Sequence, residues 1–135
     1  MTFHLEKQKT KSTPYVLIDE EKGYMKLEGR SFHENVVEFF KEINAWMDTY
    51  LTSDFRAFTF DCEMNYFNSS TAKLLFNMIM KMDKHACANK KITLNWITTE
   101  SNDIVIECGE SFQEDVCNLE FNLVINTDDI SKGPQ

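Results

Sequence analysis

The residues best equipped for chemistry stand together at Asn68-Ser69-Ser70-Thr71-Ala72-Lys73. Three hydroxyls follow an asparagine, and a lysine closes the run. Upstream, Arg56 to Phe67 alternates with period two; downstream, apolar residues recur at helical spacing. The hydroxyls therefore fall where a strand hands over to a helix. Asn and Ser are strong N-caps, which places the helix start here. A helix start offers unpaired N–H groups and the positive end of the helix dipole. A phosphoryl group is stabilised at such a point, and Lys73 adds a positive charge one turn on. The cluster can thus accept a phosphoryl group or bind one. Ser/Thr clusters also serve as plain helix caps, and local spacing alone leaves both readings open.

Other constellations are sparse. The chain has no glycine-rich phosphate loop, no G-x-S-x-G and no H-E-x-x-H. His4, His33 and His85 are scattered, and none neighbours an obvious nucleophile. Cys62, Cys87, Cys108 and Cys117 form no C-x-x-C pair and have no zinc spacing; His85-x-Cys87 is the one close pair. Asp61 and Glu63 share a strand face as conceivable paired carboxylates, although a polar sheet face in water explains them better. No catalytic residue, metal or cofactor is expected.

Charge narrows the partners. The 135 residues carry 14 Lys and Arg against 22 Asp and Glu, a net of −8. From Thr98 onward nine acids face Lys132 alone, so this segment holds the whole imbalance. Between Asn68 and Ile97 the sign reverses, with five lysines against Asp83. An acidic chain repels phosphate backbones, which argues against nucleic acid. No apolar run approaches the roughly 20 residues of a membrane span, and MTFHLEKQKTKST lacks the apolar block of a signal peptide. The expectation is a cytoplasmic protein with free thiols and no membrane insertion.

The elements follow from periodicity. Residues 1–13 read as a flexible polar arm. Tyr15 to Asp19 and Tyr24 to Gly29 form a hairpin around Glu20-Glu21-Lys22-Gly23. Ser31 and Glu34 have capping-box spacing before a helix with apolar Val36, Phe39, Phe40, Ile43, Trp46, Met47, Tyr50 and Leu51. In the next strand Phe58, Phe60, Cys62, Met64 and Tyr66 share one face, while Thr59, Asp61, Glu63 and Asn65 share the other. The second helix runs to about Ala88. Ile92 to Ile97 alternates as a strand, Ile104 to Cys108 reads as a short strand, Glu110 to Cys117 as a short acidic helix, and Leu119 to Ile125 as a last strand. A strand with one polar face implies an α/β fold: a mixed sheet with helices packed mainly on one face. One domain over residues 14–126 and a polar tail over 127–135 complete the layout.

The second helix has a further property. At 100° per residue, Leu75, Met78, Ile79, Met82 and Ala86 cluster on one side. Phe76 and Met80 fall nearly opposite, beside Lys73, Lys84 and the direction of Ser69. Such residues need a cover, from a second sheet layer or the N-terminal arm, or else form an exposed partner patch.

Taken in order, Ser12-Thr13-Pro14, Gly29-Arg30-Ser31-Phe32-His33-Glu34-Asn35, Trp46-Met47-Asp48-Thr49-Tyr50-Leu51, Tyr66-Phe67-Asn68-Ser69-Ser70-Thr71-Ala72-Lys73 and Gly109-Glu110-Ser111-Phe112-Gln113-Glu114-Asp115 resemble the SiaC family of bacterial regulatory phosphoproteins. The resemblance runs from about Thr13 to Phe121, and departs at His33, where the family usually has Pro. It implies a STAS-like fold and a non-catalytic switch. It further implies a dedicated kinase that phosphorylates the hydroxyl directly after the Asn of the strand-to-helix motif, a PP2C-type phosphatase that reverses this, and an unphosphorylated form that binds and activates a diguanylate cyclase. On this chain the acceptor is then Ser69, with Ser70 and Thr71 as weaker candidates and Asn68 and Lys73 as phosphate support. Phe76, Met80 and Lys84 are the expected partner contacts. The competing reading is an α/β domain that binds a small ligand or serves as a structural interaction module, without a phosphoswitch; an enzyme using Asp61, Glu63 or His85 would need a pocket gathering them.

Overall fold

Alternation of apolar and polar residues builds the sheet. The computed structural model describes residues 2–128. Its strands are β1 (His4–Lys7), β2 (Tyr15–Asp19), β3 (Tyr24–Ser31), β4 (Ala57–Phe67), β5 (Lys91–Thr99) and β6 (Glu120–Asn126). They lie side by side in chain order. β1, β2 and β3 are antiparallel neighbours, and β3 through β6 run parallel. Parallel neighbours need crossovers, supplied by α1 (Val36–Tyr50), α2 (Ser69–His85) and α3 (Asp103–Asp115). Crossovers of one hand, stepping one way across the sheet, set all three helices on the same face.

Burial confirms the one-sided arrangement. Met25 and Leu27, then Phe58, Phe60, Cys62 and Met64, then Ile92, Leu94 and Trp96 are fully buried, while the residues between them along β3, β4 and β5 are only partly covered. The helices contribute Phe40, Ile43 and Met47 from α1, and Leu75, Met78, Ile79 and Met82 from α2, all at zero exposure. The open face is organised by a polar ladder. Asp61 accepts from Tyr24 Oη at 2.7 Å and from Asn95 Nδ2 at 2.8 Å, and Asn122 donates to Asn95 Oδ1 at 3.0 Å. Burial, and then the bond to Asp61, push the Tyr24 hydroxyl well above the usual tyrosine range. Asp61 is thereby committed to the sheet.

Several expectations need correction. The arm over residues 1–13 is not loose throughout: His4–Lys7 pairs with β2, and Phe3 stacks on Trp46 with centroids 6.1 Å apart. A four-residue edge strand has too few alternations to stand out in a basic polar segment. Ser31 is no N-cap. It ends β3, buried, and α1 starts five residues on, after Asn35. Tyr66 leaves the apolar face because the β3–β4 register slips between Gly29 and Arg30, pairing Gly29 with Met64 and Arg30 with Tyr66. The extra residue turns the following side chain over.

The expected strand at Ile104 to Cys108 is the first half of α3, capped by Asn102 Oδ1 accepting from the Val105 N–H. Gly109 lies mid-helix for a packing reason. A Cβ there would sit 2.5 Å from Cδ1 of Trp96, whose indole N–H donates to the Val105 carbonyl at 2.9 Å. Glycine thus lets α3 lie directly on the indole.

Asp83 closes the far end of the helical layer. Its carboxylate accepts from the backbone N–H groups of Cys117, Asn118 and Leu119. A carboxylate near a helix C-terminus opposes the dipole, and these three donors offset that. Burial raises its titration point and the three bonds lower it; the bonds prevail, and Asp83 titrates below the usual range.

Two outcomes follow. Gly109→Ala should lower stability by about 1–3 kcal/mol in a urea titration, because overpacking against Trp96 outweighs the better helix propensity of Ala. Asp83→Asn should cost about 2 kcal/mol at pH 7. With the folded pKa depressed, that contribution is complete above the unfolded value of about 3.9 and fades as pH falls through the folded one. The gap between wild type and Asp83→Asn should therefore narrow below about pH 4.

Candidate phosphoacceptor and partner-binding site

The β4–α2 junction is built from the end of β3. The Ser31 carbonyl accepts from the Asn68 N–H at 3.1 Å and from the Thr71 hydroxyl at 3.1 Å. The Ser31 and Thr71 hydroxyls meet at 2.8 Å. Thr71 has one hydroxyl proton, spent on the carbonyl, so Ser31 donates to Thr71. Asn68 Oδ1 accepts from the Thr71 N–H at 2.9 Å, and the Asn68 carbonyl accepts from the Ala72 N–H at 2.9 Å. The first helical turn is thus tied to β3 at several points.

This geometry sorts the three hydroxyls. Ser69 and Ser70 are exposed. Thr71 has zero exposure, and its oxygen both donates and accepts within the buried pair. Thr71 is thus held inside a buried clasp, and phosphorylating it would require the helix start to open. Asn68 caps through its side chain, as expected of that residue type. The N–H groups of Ser69 and Ser70 precede the first intrahelical bonds. Lys73 is exposed one turn further along.

The outward face of α2 is partly covered. Phe76 packs on Phe112 of α3, centroids 5.4 Å apart. Its cover is a neighbouring helix, neither a second sheet layer nor the N-terminal arm. Met80 is half-buried and lines a shallow groove of about 430 Å3 with Asn44, Leu74, Asn77, Lys81 and the exposed Lys84. Lys81, on the wall of this groove, bonds Asp48 of α1 at 2.8 Å.

Sequence reasoning missed the role of Ser31, because its capping-box spacing pointed to α1 instead. It also missed Arg30, whose guanidinium lies over the rings of Phe32 and Tyr66, 5.4 and 5.7 Å from their centroids. The register slip that exposes Tyr66 has no signature in residue types. The conceivable catalytic groups are not gathered: Asp61 serves the sheet ladder, and His85 ends α2. Burial pushes the Cys62 thiol far up and the Cys108 thiol up, so neither is an activated nucleophile. Among the described residues no three His, Cys, Asp or Glu side chains are grouped as metal ligands, and no helix is long and apolar enough to cross a membrane.

With this geometry in place, the family model described as SiaC family regulatory phosphoprotein matches residues 7–126. The chain belongs to the SiaC family. It is 28% identical over 112 residues to an uncharacterized protein of Pseudomonas aeruginosa strain UCBPP-PA14, covering 83% of this chain and 88% of that one. Its fold matches SiaC of Pseudomonas aeruginosa with a TM-score of 0.84 at 24% identity, over 93% of this chain and all of the other. It also matches the SiaC chain in a crystal structure of the P. aeruginosa diguanylate cyclase SiaD in complex with its activator SiaC, with a TM-score of 0.81 at 27% identity, over 91% and 98% of the two chains. The mixed sheet with one layer of helices is the SiaC fold, and membership sets this chain among regulatory proteins.

The clasp can be measured. Thr71→Val keeps the shape and removes the hydroxyl, leaving Ser31 Oγ without its acceptor. It should cost about 1–3 kcal/mol in denaturant unfolding, whereas the exposed Ser70→Ala should change stability by less than about 0.5 kcal/mol.

Proposed function

We propose that this SiaC-family chain is a phosphorylation-controlled binding module that activates a diguanylate cyclase when unphosphorylated. The observation that carries this reading is Ser69: an exposed hydroxyl on a helix start whose backbone is held rigidly to β3. A cognate protein kinase supplies the phosphate. Ser69 Oγ attacks the terminal phosphorus of the kinase-bound nucleotide, the nucleoside diphosphate leaves, and the hydroxyl proton passes to a base of the kinase. A PP2C-type phosphatase returns the serine by hydrolysis.

The switch works through charge. Phosphorylation adds about −1.5 to −2 at pH 7. On the isolated chain this is tolerated, since the Ser69 and Ser70 N–H groups and Lys73 all favour an anion there. Against a partner the phosphate must be desolvated, and an unpaired buried charge costs several kcal/mol, enough to break a moderate complex. Met80 and Lys84, with the half-buried Phe76, continue the partner surface along α2. No chemistry by this chain is needed. The reading is supported by family membership and by the relative whose crystal structure pairs a SiaC activator with a cyclase.

The test compares affinity for the cyclase at fixed salt among wild type, Ser69-phosphorylated protein, Ser69→Ala and Ser69→Asp. Wild type and Ser69→Ala should bind alike, the phosphoprotein at least about 100-fold more weakly, and Ser69→Asp in between, having less charge. Equal affinities across all four would sink the switch. Phosphate mapped to Ser70 alone would move the acceptor by one residue and leave the mechanism standing.

A further inference from the structure

The start of α2 does not stand alone at its edge of the sheet. β3 through β6 run parallel, so their C-terminal ends share one edge with the starts of α1, α2 and α3. Among the described residues four large apolar side chains are exposed: Val37, Tyr66, Ile104 and Ile125. All four lie at this edge. Tyr66 and Ile125 are the penultimate residues of β4 and β6; Val37 and Ile104 are the second residues of α1 and α3. Val37 and Ile104 are also the most exposed of the set, at 66% and 74%. The matching position in α2 is Ser70, beside Ser69.

Spacing makes this a usable surface. Packed helices lie about 10 Å apart, so Val37 and Ile104 stand on either side of Ser69 in a row of about 20 Å. A standard interface of about 800 Å2 per partner covers such a row. The outward face of α2 has no comparable anchor, because Phe76 leans on Phe112 and Met80 is half-buried.

The same edge carries positive charge. A groove of about 480 Å3 is lined by Lys9, Thr10, Lys11, Gly29, Arg30 and Asn65. No carboxylate lines it, and among the described residues none of its three cations makes an ion pair. The Arg30 guanidinium is already held over two rings. In a chain of net charge −8, this is a local field of the opposite sign. The groove adjoins the acceptor through the β3 end: Phe32 N–H bonds the Ser12 carbonyl at 2.9 Å, and Asn68 N–H bonds that of Ser31.

We propose that the protein partner docks across this row of helix starts, with Val37 and Ile104 as apolar anchors flanking Ser69 and an acidic segment of the partner entering the Lys9–Lys11–Arg30 groove. The proposal rests on the phosphoswitch reading and gives it a location. A phosphate on Ser69 then falls between two apolar contacts and repels the acidic border, so one modification defeats both parts of the interface.

The test titrates the purified diguanylate cyclases of the same cell with wild type, Ser69-phosphorylated protein, Val37→Glu, Ile104→Glu and the pair Lys9→Glu/Lys11→Glu. Glutamate in the first turn of a helix is favourable, and both apolar residues are exposed, so thermal melts should match wild type. Val37→Glu and Ile104→Glu should each weaken binding at least about tenfold. The lysine pair should slow association about tenfold and flatten its dependence on salt. If phosphorylation abolishes binding while Val37→Glu and Ile104→Glu bind like wild type, the docking row is wrong and the switch stands. If the lysine pair associates at the wild-type rate, the acidic segment is wrong. If wild type binds none of the cyclases, the functional reading fails and takes the docking row with it.

Discussion

Four parallel strands laid down in chain order impose one constraint from which most of this structure follows. Every crossover steps the same way, so every helix lands on the same face and every helix starts at the same edge. The apolar face of the sheet is fully used by α1, α2 and α3. The other face must live with solvent, and it does so through the Tyr24–Asp61–Asn95–Asn122 ladder. Among the described residues no second layer covers that ladder. Strand ends, helix starts and short loops meet at the edge, where the proposed acceptor Ser69 lies.

At that edge rigidity comes from a very small set of atoms. The Ser31 carbonyl and hydroxyl and the Thr71 hydroxyl form a closed group, sealed from water, that ties β3 to the first turn of α2. Buried polar groups of this kind are costly unless fully paired, and here each is paired. The result is a helix start bonded to the sheet, with Ser69 and Ser70 left exposed. A site for reversible modification needs both properties: a hydroxyl that an enzyme can reach, and a backbone that holds it in one place.

The helical layer is closed by two further devices. Gly109 allows α3 to sit directly on Trp96, and Asp83 ties the end of α2 to the turn between α3 and β6. Both help set how α3 lies beside α2. That spacing governs how Phe76 meets Phe112, and hence how much of the outward face of α2 is left for a partner.

The sequence by itself determined the sheet strands with strict alternation, the inward faces of α1 and α2, the strand-to-helix position of Asn68 to Lys73, and the resemblance to the SiaC family. The elements are local patterns, written in period two, period 3.6 and cap chemistry, and the resemblance rests on the order and spacing of short motifs. Tertiary structure decided the rest. Ser31 looked like an N-cap because Glu34 follows at the right interval, yet its partner is Thr71, 40 residues away. Ile104 to Cys108 looked like a strand because β-branched residues suit a pleated sheet, yet they lie on a helix that passes Trp96. Tyr66 was placed inward by parity and turned outward by a one-residue slip against β3. The edge strand β1 took its place by pairing with β2, against a polar composition. In each case the deciding interaction joins residues distant along the chain, and local propensity is too weak a term to oppose a buried hydrogen bond, a packed ring or a sheet register.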